Sequence, residues 1–241
     1  MRATFDATGE VVLITGGAQG IGAALAAAVN AAGGTAVVLD VTAPPEGIAY
    51  VPVDVADRAK VFEAVSQVHA QYGRIDGLVA GAAVQPRSSV LELDPAEWTR
   101  TLQVNLDGVV WACQAVVPHM VARRAGSVVV FTSGMASSGY PGAAAYAASK
   151  AALVAFAKTL AAEVAADRVR VNVVAPGVID TEQFRGANAG ADREHWQDTI
   201  GIGDPDDVVG PLLFLLSDAA AMTGSALTRE RAFAKLTSFV E

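Results

Sequence analysis

Val11-Val12-Leu13-Ile14-Thr15-Gly16-Gly17-Ala18-Gln19-Gly20-Ile21-Gly22 decides the fold of this chain. It opens with a short apolar run rich in β-branched residues, which reads as a buried strand. A glycine-rich turn follows from Thr15 to Gly22. An alanine-rich helical stretch then runs to about Ala32, where Gly33-Gly34 stops it. A phosphate needs backbone N–H donors with no side chain in the way. Glycines permit both the tight turn and a close approach to the helix N-terminus. In a strand–turn–helix unit such a turn is a candidate nucleotide cradle, with a plain tight turn as the alternative.

The same alternation continues outward. Strands are expected at Thr35 to Leu39, near Ile48 to Val53, at Gly77 to Ala82, at Ser127 to Thr132 and at Val169 to Val174. Asp57 is a candidate N-cap for a helix running to about Tyr72. Pro95 stands early in a helical region that reaches Arg124 with a break. Tyr146 to about Ala166 and Asp206 to Ser217 read as further helices. The strands are continuous apolar runs, the pattern of strands covered on both faces. Alternating β and α elements imply right-handed crossovers, hence one α/β domain spanning 1–241 with a doubly wound parallel sheet of about seven strands.

The 241 residues are 52% hydrophobic, enough for one sizeable core. The formal charge is −8, and the 17 basic residues are scattered, which argues against a nucleic-acid surface. No long apolar run suggests a membrane span, and Met1 to Gly9 lacks a signal-peptide pattern. Cys113 stands alone, and no cluster has metal-ligand spacing, so no metal is expected. His69, His119 and His195 read as surface or helix-end residues. The expectation is an acidic cytoplasmic protein with a small-molecule substrate.

Asp40 ends the second strand. A carboxylate there can accept from ribose hydroxyls and would repel a 2′-phosphate. The glycine turn holds no arginine or lysine, so the expected cofactor is NAD and not NADP. Asp54-Val55 ends the third strand, where a carboxylate could meet an adenine amino group or simply form a turn. Tyr146-Ala147-Ala148-Ser149-Lys150 opens the long helix, and the i, i+4 spacing puts phenol and ammonium on one face.

Together these motifs resemble the short-chain dehydrogenase/reductase family. The turn Thr15 to Gly22 looks like its TGxxxGxG element, and Tyr146 with Lys150 looks like its YxxxK pair. Ser133, 13 positions before the tyrosine, matches its catalytic serine, and Asn105 matches the asparagine that completes its tetrad. Asn172-Val173-Val174-Ala175-Pro176-Gly177 looks like NxxxPG. The resemblance spans roughly residues 10–225. It implies a Rossmann fold and an NAD-dependent interconversion of a secondary alcohol and a ketone. Tyr146 would be the general acid/base, Ser133 would polarise the substrate oxygen, Lys150 would lower the tyrosine pKa and bond the ribose, and Asn105 would steady a water. The implied cofactor residues are Gly16, Gln19, Gly20, Ile21, Gly22, Asp40, Asp54, Val55, Tyr146, Lys150, Pro176, Gly177, Val178 and Thr181.

Two departures stand out. Ala80-Gly81-Ala82-Ala83 replaces the usual NNAG, removing side-chain amides and some of the bonds that tie the strands. The C-terminal segment 226–241 departs from the family's Asp-Gly-Gly ending, and its charged stretch 228–236 reads as a candidate helix. The family often packs this end against another subunit, so a homotetramer is expected, with a dimer as the alternative.

Substrate loops follow NxxxPG in the family, which makes 181–203 a candidate lid. Gln85, Met135, Tyr140, Phe184 and Trp196 are candidate pocket walls. Arg87, Arg185 and Arg193 are candidates to meet a carboxylate, with a plain surface role as the alternative. Competing readings are a reductase of carrier-bound 3-oxoacyl groups, which usually has a basic residue where Gln19 stands, and an NAD-binding regulatory protein without catalysis.

Overall fold

The computed structural model describes residues 4–189 and 193–229. Seven strands form one parallel sheet: β1 Val11–Thr15, β2 Thr35–Asp40, β3 Ala49–Pro52, β4 Gly77–Ala80, β5 Gly126–Phe131, β6 Val169–Ala175 and β7 Ala226–Thr228. Their order is β3-β2-β1-β4-β5-β6-β7. The order reverses between β1 and β4, which opens a crevice at the carboxyl ends of those strands. The single-domain Rossmann architecture is therefore the one expected.

Alternation along each strand builds two cores. Val11, Leu13, Val37 and Leu39 face one side, where they pack on α2 (Arg58–Tyr72), α4 (Gly108–Arg123) and α6 (Ala144–Val164). Val12, Ile14, Val38 and Val79 face the other, under α1 (Gly20–Ala31) and α9 (Asp206–Leu216). Both faces are buried, so the strands need no polar alternation. Local chemistry sets the ends. Asp57 accepts from the Lys60 N–H at 3.2 Å and starts α2, while Gly73 closes that helix at φ +72°.

The helical region from Pro95 is broken in a specific way. α3 (Pro95–Leu102) runs into one wide turn of π geometry, Gln103–Asp107, before α4 begins. Such turns are common at functional sites; this one holds Asn105. β4 stops at Ala80, two residues short of the expected end. Beyond it, the Gly81 N–H donates to the Thr15 carbonyl at 3.0 Å and to the Thr15 hydroxyl at 3.1 Å, and Ala82 donates to that hydroxyl at 3.3 Å. Thr15 thus ties β1 to β4 where the NNAG amides are missing.

Three short helices have no counterpart in the sequence reading: α5 (Met135–Ser138), α7 (Glu182–Ala187) and α8 (Arg193–Thr199). Two of them stand in the segment 181–203. Each is a few residues long, too short for an apolar period to show. Most of the departing C-terminal segment, 230–241, lies outside the described residues. Among the described residues no helix is long and apolar enough to cross a membrane.

Candidate active site

A cavity of about 770 Å³ lies over the carboxyl ends of the strands. Its floor is the glycine turn. Gly16 has φ +74°, and a Cβ there would lie 2.6 Å from the Ala82 backbone nitrogen. A Cβ on Gly22 would fall 2.3 Å from the Gly16 carbonyl oxygen. Only glycine lets the turn fold this tightly and reach the β4 loop. Gln19 precedes α1 without a capping side-chain bond, and the first turn carries no acidic residue. Gly20, Ile21 and Gly22 line the cavity, so the N-terminus of α1 presents its N–H donors there. This donor set fits a pyrophosphate.

Asp40 borders the same floor. Its carboxylate accepts from Ala18 N–H at 3.1 Å and from Thr42 N–H at 3.1 Å, which holds the acid at the rim of the turn. Asp54 and Val55 line the cavity beside it. Asp54 also pairs with Arg100 at 2.8 Å, and hydrogen bonds from Ala56 and Arg100 pull its pKa down against burial. Arg100 is a cavity residue that the sequence reading did not find; it arrives from α3, across a gap of 46 residues.

Tyr146, Lys150 and Ser133 line the cavity together. The Ser133 hydroxyl accepts from Met135 N–H at 3.2 Å. Thr132, at the end of β5, donates from its hydroxyl to the Lys150 carbonyl at 2.8 Å and so clamps β5 to α6. Lys150 is 2% exposed, and its ammonium donates to the Phe131 carbonyl at 3.0 Å. It lies 5.7 Å from the centre of the Tyr146 ring. Burial lowers the Lys150 pKa from 10.5 to about 8.

Burial also acts on Tyr146. It is the largest influence and raises the phenol pKa; the nearby Ser133 hydroxyl and the charge of Arg87 oppose it. Lys150 donates to the Phe131 carbonyl, and the charge of Arg87 also favours the phenolate.

Asn105 does not line the cavity. It is fully buried, accepts from Val84 N–H at 2.8 Å and donates to the Val84 carbonyl at 2.9 Å. It also donates to the Ser149 hydroxyl at 3.2 Å, one residue from Lys150. Asn105 therefore joins the β4 loop to the helix of Tyr146.

Pro176, Gly177, Val178 and Thr181 border the cavity, with Thr181 against Gly20 of the glycine turn. The Thr181 hydroxyl accepts from Phe184 N–H at 3.1 Å and caps α7. Gln85, Met135, Tyr140, Phe184 and Trp196 share the remaining wall. Trp196 touches the Tyr140 ring edge-on at 5.8 Å and the Phe184 ring at 5.2 Å. Arg185 pairs with Asp180 at 3.1 Å and Glu182 at 3.4 Å. The side chain of Arg193 lies outside the described residues. The rings of His69 and His119 stack at 4.0 Å away from the cavity lining.

The short chain dehydrogenase family model matches residues 10–192. The chain belongs to this family. Among curated short-chain dehydrogenases, it is 37% identical to D-threitol dehydrogenase of Mycolicibacterium smegmatis, over 92% of this chain and 91% of that one. It is 36% identical to a 3-oxoacyl-[acyl-carrier-protein] reductase of Thermotoga maritima, over 91% and 95%. The solved aldohexose dehydrogenase of Thermoplasma acidophilum superposes with a TM-score of 0.85 at 30% identity, covering 93% of this chain and 92% of that one. As a short-chain dehydrogenase, the protein is an oxidoreductase of a family that uses a nicotinamide cofactor, NAD or NADP.

Proposed function

We propose that this short-chain dehydrogenase interconverts a secondary alcohol and a ketone with NAD. The observation that carries the reading is the convergence of Tyr146, Ser133 and Lys150 in the cavity that also holds the uncapped N-terminus of α1 and Asp40. NAD would lie with its pyrophosphate on the glycine turn and its adenosine ribose at Asp40. Asp54 and Val55 would flank the adenine, with Gln19 on the turn. Pro176, Gly177, Val178 and Thr181 would flank the nicotinamide, which supplies hydride exchange with the substrate carbon. Asp40 supports NAD over NADP because its carboxylate repels a 2′-phosphate. Arg100, the cation near that end, is already paired with Asp54.

The chain's own groups move the proton. In oxidation Tyr146 takes the hydroxyl proton, and in reduction it returns a proton to the developing alkoxide. Ser133, in the same cavity, holds the same substrate oxygen. Lys150 bonds the ribose and, with a pKa near 8, can relay protons at neutral to alkaline pH. Asn105 holds the β4 loop and the helix of Tyr146 in register and steadies a water on the relay. The segment 181–203 acts as the lid, with Phe184 and Trp196 closing over Tyr140. The active form is a homotetramer, which light scattering tests directly.

A second reading, reduction of carrier-bound 3-oxoacyl groups, has the Thermotoga relative in its favour. Gln19 in place of a basic residue weighs against it. The deciding experiment follows NADH formation from secondary alcohols and diols at alkaline pH, with NAD and NADP in parallel. NAD-linked turnover is expected. Turnover with NADP alone, or of 3-oxoacyl thioesters alone, would overturn the reading.

A further inference from the structure

The loop after β3 is held at two points by the segment that runs from α3 through the π-type turn into α4. At the first, Gly108, the opening residue of α4, sits on Val55: a Cβ there would lie 2.7 Å from Val55 Cγ2 and 3.2 Å from its carbonyl oxygen. Only glycine lets the helix come this close. At the second, Arg100 in the last turn of α3 donates from Nη2 to Asp54 Oδ2 at 2.8 Å. The close packing at Gly108 thus sets where the arginine stands, and its side chain reaches back to the same loop.

The Asp54 carboxylate is fixed at both oxygens. Oδ1 accepts from the Ala56 N–H at 3.0 Å, and Oδ2 accepts from Arg100. Burial opposes its charge, but these two bonds outweigh burial and lower its pKa, so the group is an acceptor at neutral pH. Each carboxylate oxygen has room for a second donor. Lys60, whose charge Asp54 also feels, pairs with Asp57 at 3.7 Å. Arg100 and Asp54 both line the cavity. Leu39, Val53, Val55 and Val104 line it as well and belong to one packed cluster. A flat base fits such an apolar wall, and choice among bases then falls to the polar edge, where Asp54 stands.

We infer that Arg100 is a positioning residue for base recognition: it holds the Asp54 carboxylate as a fixed acceptor for the 6-amino group of the cofactor's adenine. A base with an oxygen at that place sets acceptor against acceptor and is rejected. The ion pair removes in advance the freedom that an exposed carboxylate would lose on binding. The inference rests on the proposed placement of NAD, with adenine between Asp54 and Val55.

The test measures binding to the full chain by fluorescence titration, with NADH, its hypoxanthine analogue and reduced nicotinamide mononucleotide. The analogue carries a carbonyl in place of the 6-amino group, and the mononucleotide lacks the adenosine half. Wild type should bind NADH roughly 10- to 100-fold more tightly than the analogue, the span of one hydrogen bond to a charged group. Asp54→Asn, whose amide both accepts and donates, should bring that ratio near one. Arg100→Gln should lower the ratio toward that of Asp54→Asn, and Arg100→Lys should recover part of it. The mononucleotide should bind all of these proteins alike. The ion pair is half-exposed, so its loss leaves the fold intact, and equal urea midpoints for wild type and Arg100→Gln check this. A wild type that does not distinguish NADH from its analogue overturns the inference. So does an Arg100→Gln variant that weakens the mononucleotide as much as NADH. NADH binding with an unchanged ratio in Arg100→Gln sinks the role of Arg100 alone, whereas failure of NADH to bind at all sinks the proposed cofactor placement and the inference with it.

Discussion

Asn105 and Val84 exchange two hydrogen bonds, at 2.8 and 2.9 Å, so a side-chain amide acts as a strand neighbour to the loop after β4. The π-type turn Gln103–Asp107 turns that amide inward, and its third bond reaches Ser149 on the helix of Tyr146 and Lys150. Asn105 is thus a joint between the loop that carries Gln85 and Arg87 and the helix that carries Tyr146 and Lys150.

Asn105→Ala should therefore be a stability variant as well as an activity variant. It leaves both backbone groups of Val84 without their partner. The expected loss is about 2–5 kcal/mol, from two unsatisfied buried groups. Urea unfolding checks it; an unchanged midpoint would show that the joint carries no weight.

Tyr146→Phe removes only the phenol oxygen. NADH binding should be nearly unchanged while turnover falls by about 10²–10⁴-fold. NADH fluorescence titration and steady-state rates separate the two effects. Near wild-type turnover would refute the acid/base assignment.

Asp40→Ala removes the carboxylate held over Ala18 and Thr42. The ratio of NAD to NADP affinity should fall by roughly 10- to 100-fold, the value of a charge-assisted bond and a lifted repulsion. Equal ratios in the two proteins would remove Asp40 from the cofactor assignment.

Lys150 gives a pH signature. Its pKa falls from 10.5 to about 8 in the folded protein. Between those values the unfolded chain binds the extra proton, so this group's contribution to stability rises with pH and is least below about 8. Lys150→Met abolishes that trend. The stability of Lys150→Met relative to wild type should decline by up to roughly 3 kcal/mol between pH 7 and 10. A pH-independent difference in urea midpoints would contradict the lowered pKa.

Asp76 supplies the opposite sign. It accepts from Arg74, Arg123 and the Val11 N–H, and these bonds hold its carboxyl below the usual range against burial. Its contribution is present above the unfolded pKa of about 3.9 and is lost as pH falls through the folded value. Asp76→Asn should cost about 1 kcal/mol at pH 7, modest because the arginines are partly exposed, and the gap should close in acid. Thermal melts at pH 7 and pH 3 measure it.

The alternation of apolar runs with helical stretches determined the parallel sheet, because strands covered on both faces have no solvent side to mark in sequence. The stretch Val11 to Gly22, with Asp40, Ser133, Tyr146 and Lys150 in motif order, carried the family and the place of the site. Local turn chemistry was legible too, as in the Asp57 cap. Tertiary structure alone decided the rest, since a sequence shows which side chains exist and not which of them meet. Arg87 and Arg185 looked alike as candidates; folding gave Arg185 two carboxylates and turned Arg87 to the Ala187 carbonyl and the Tyr140 ring. Only folding shows that the Lys150 ammonium is buried and donates to the Phe131 carbonyl. The wide turn at Asn105 and the bridge from Thr15 to Gly81 likewise depend on contacts across 21 and 66 residues, which no local pattern records.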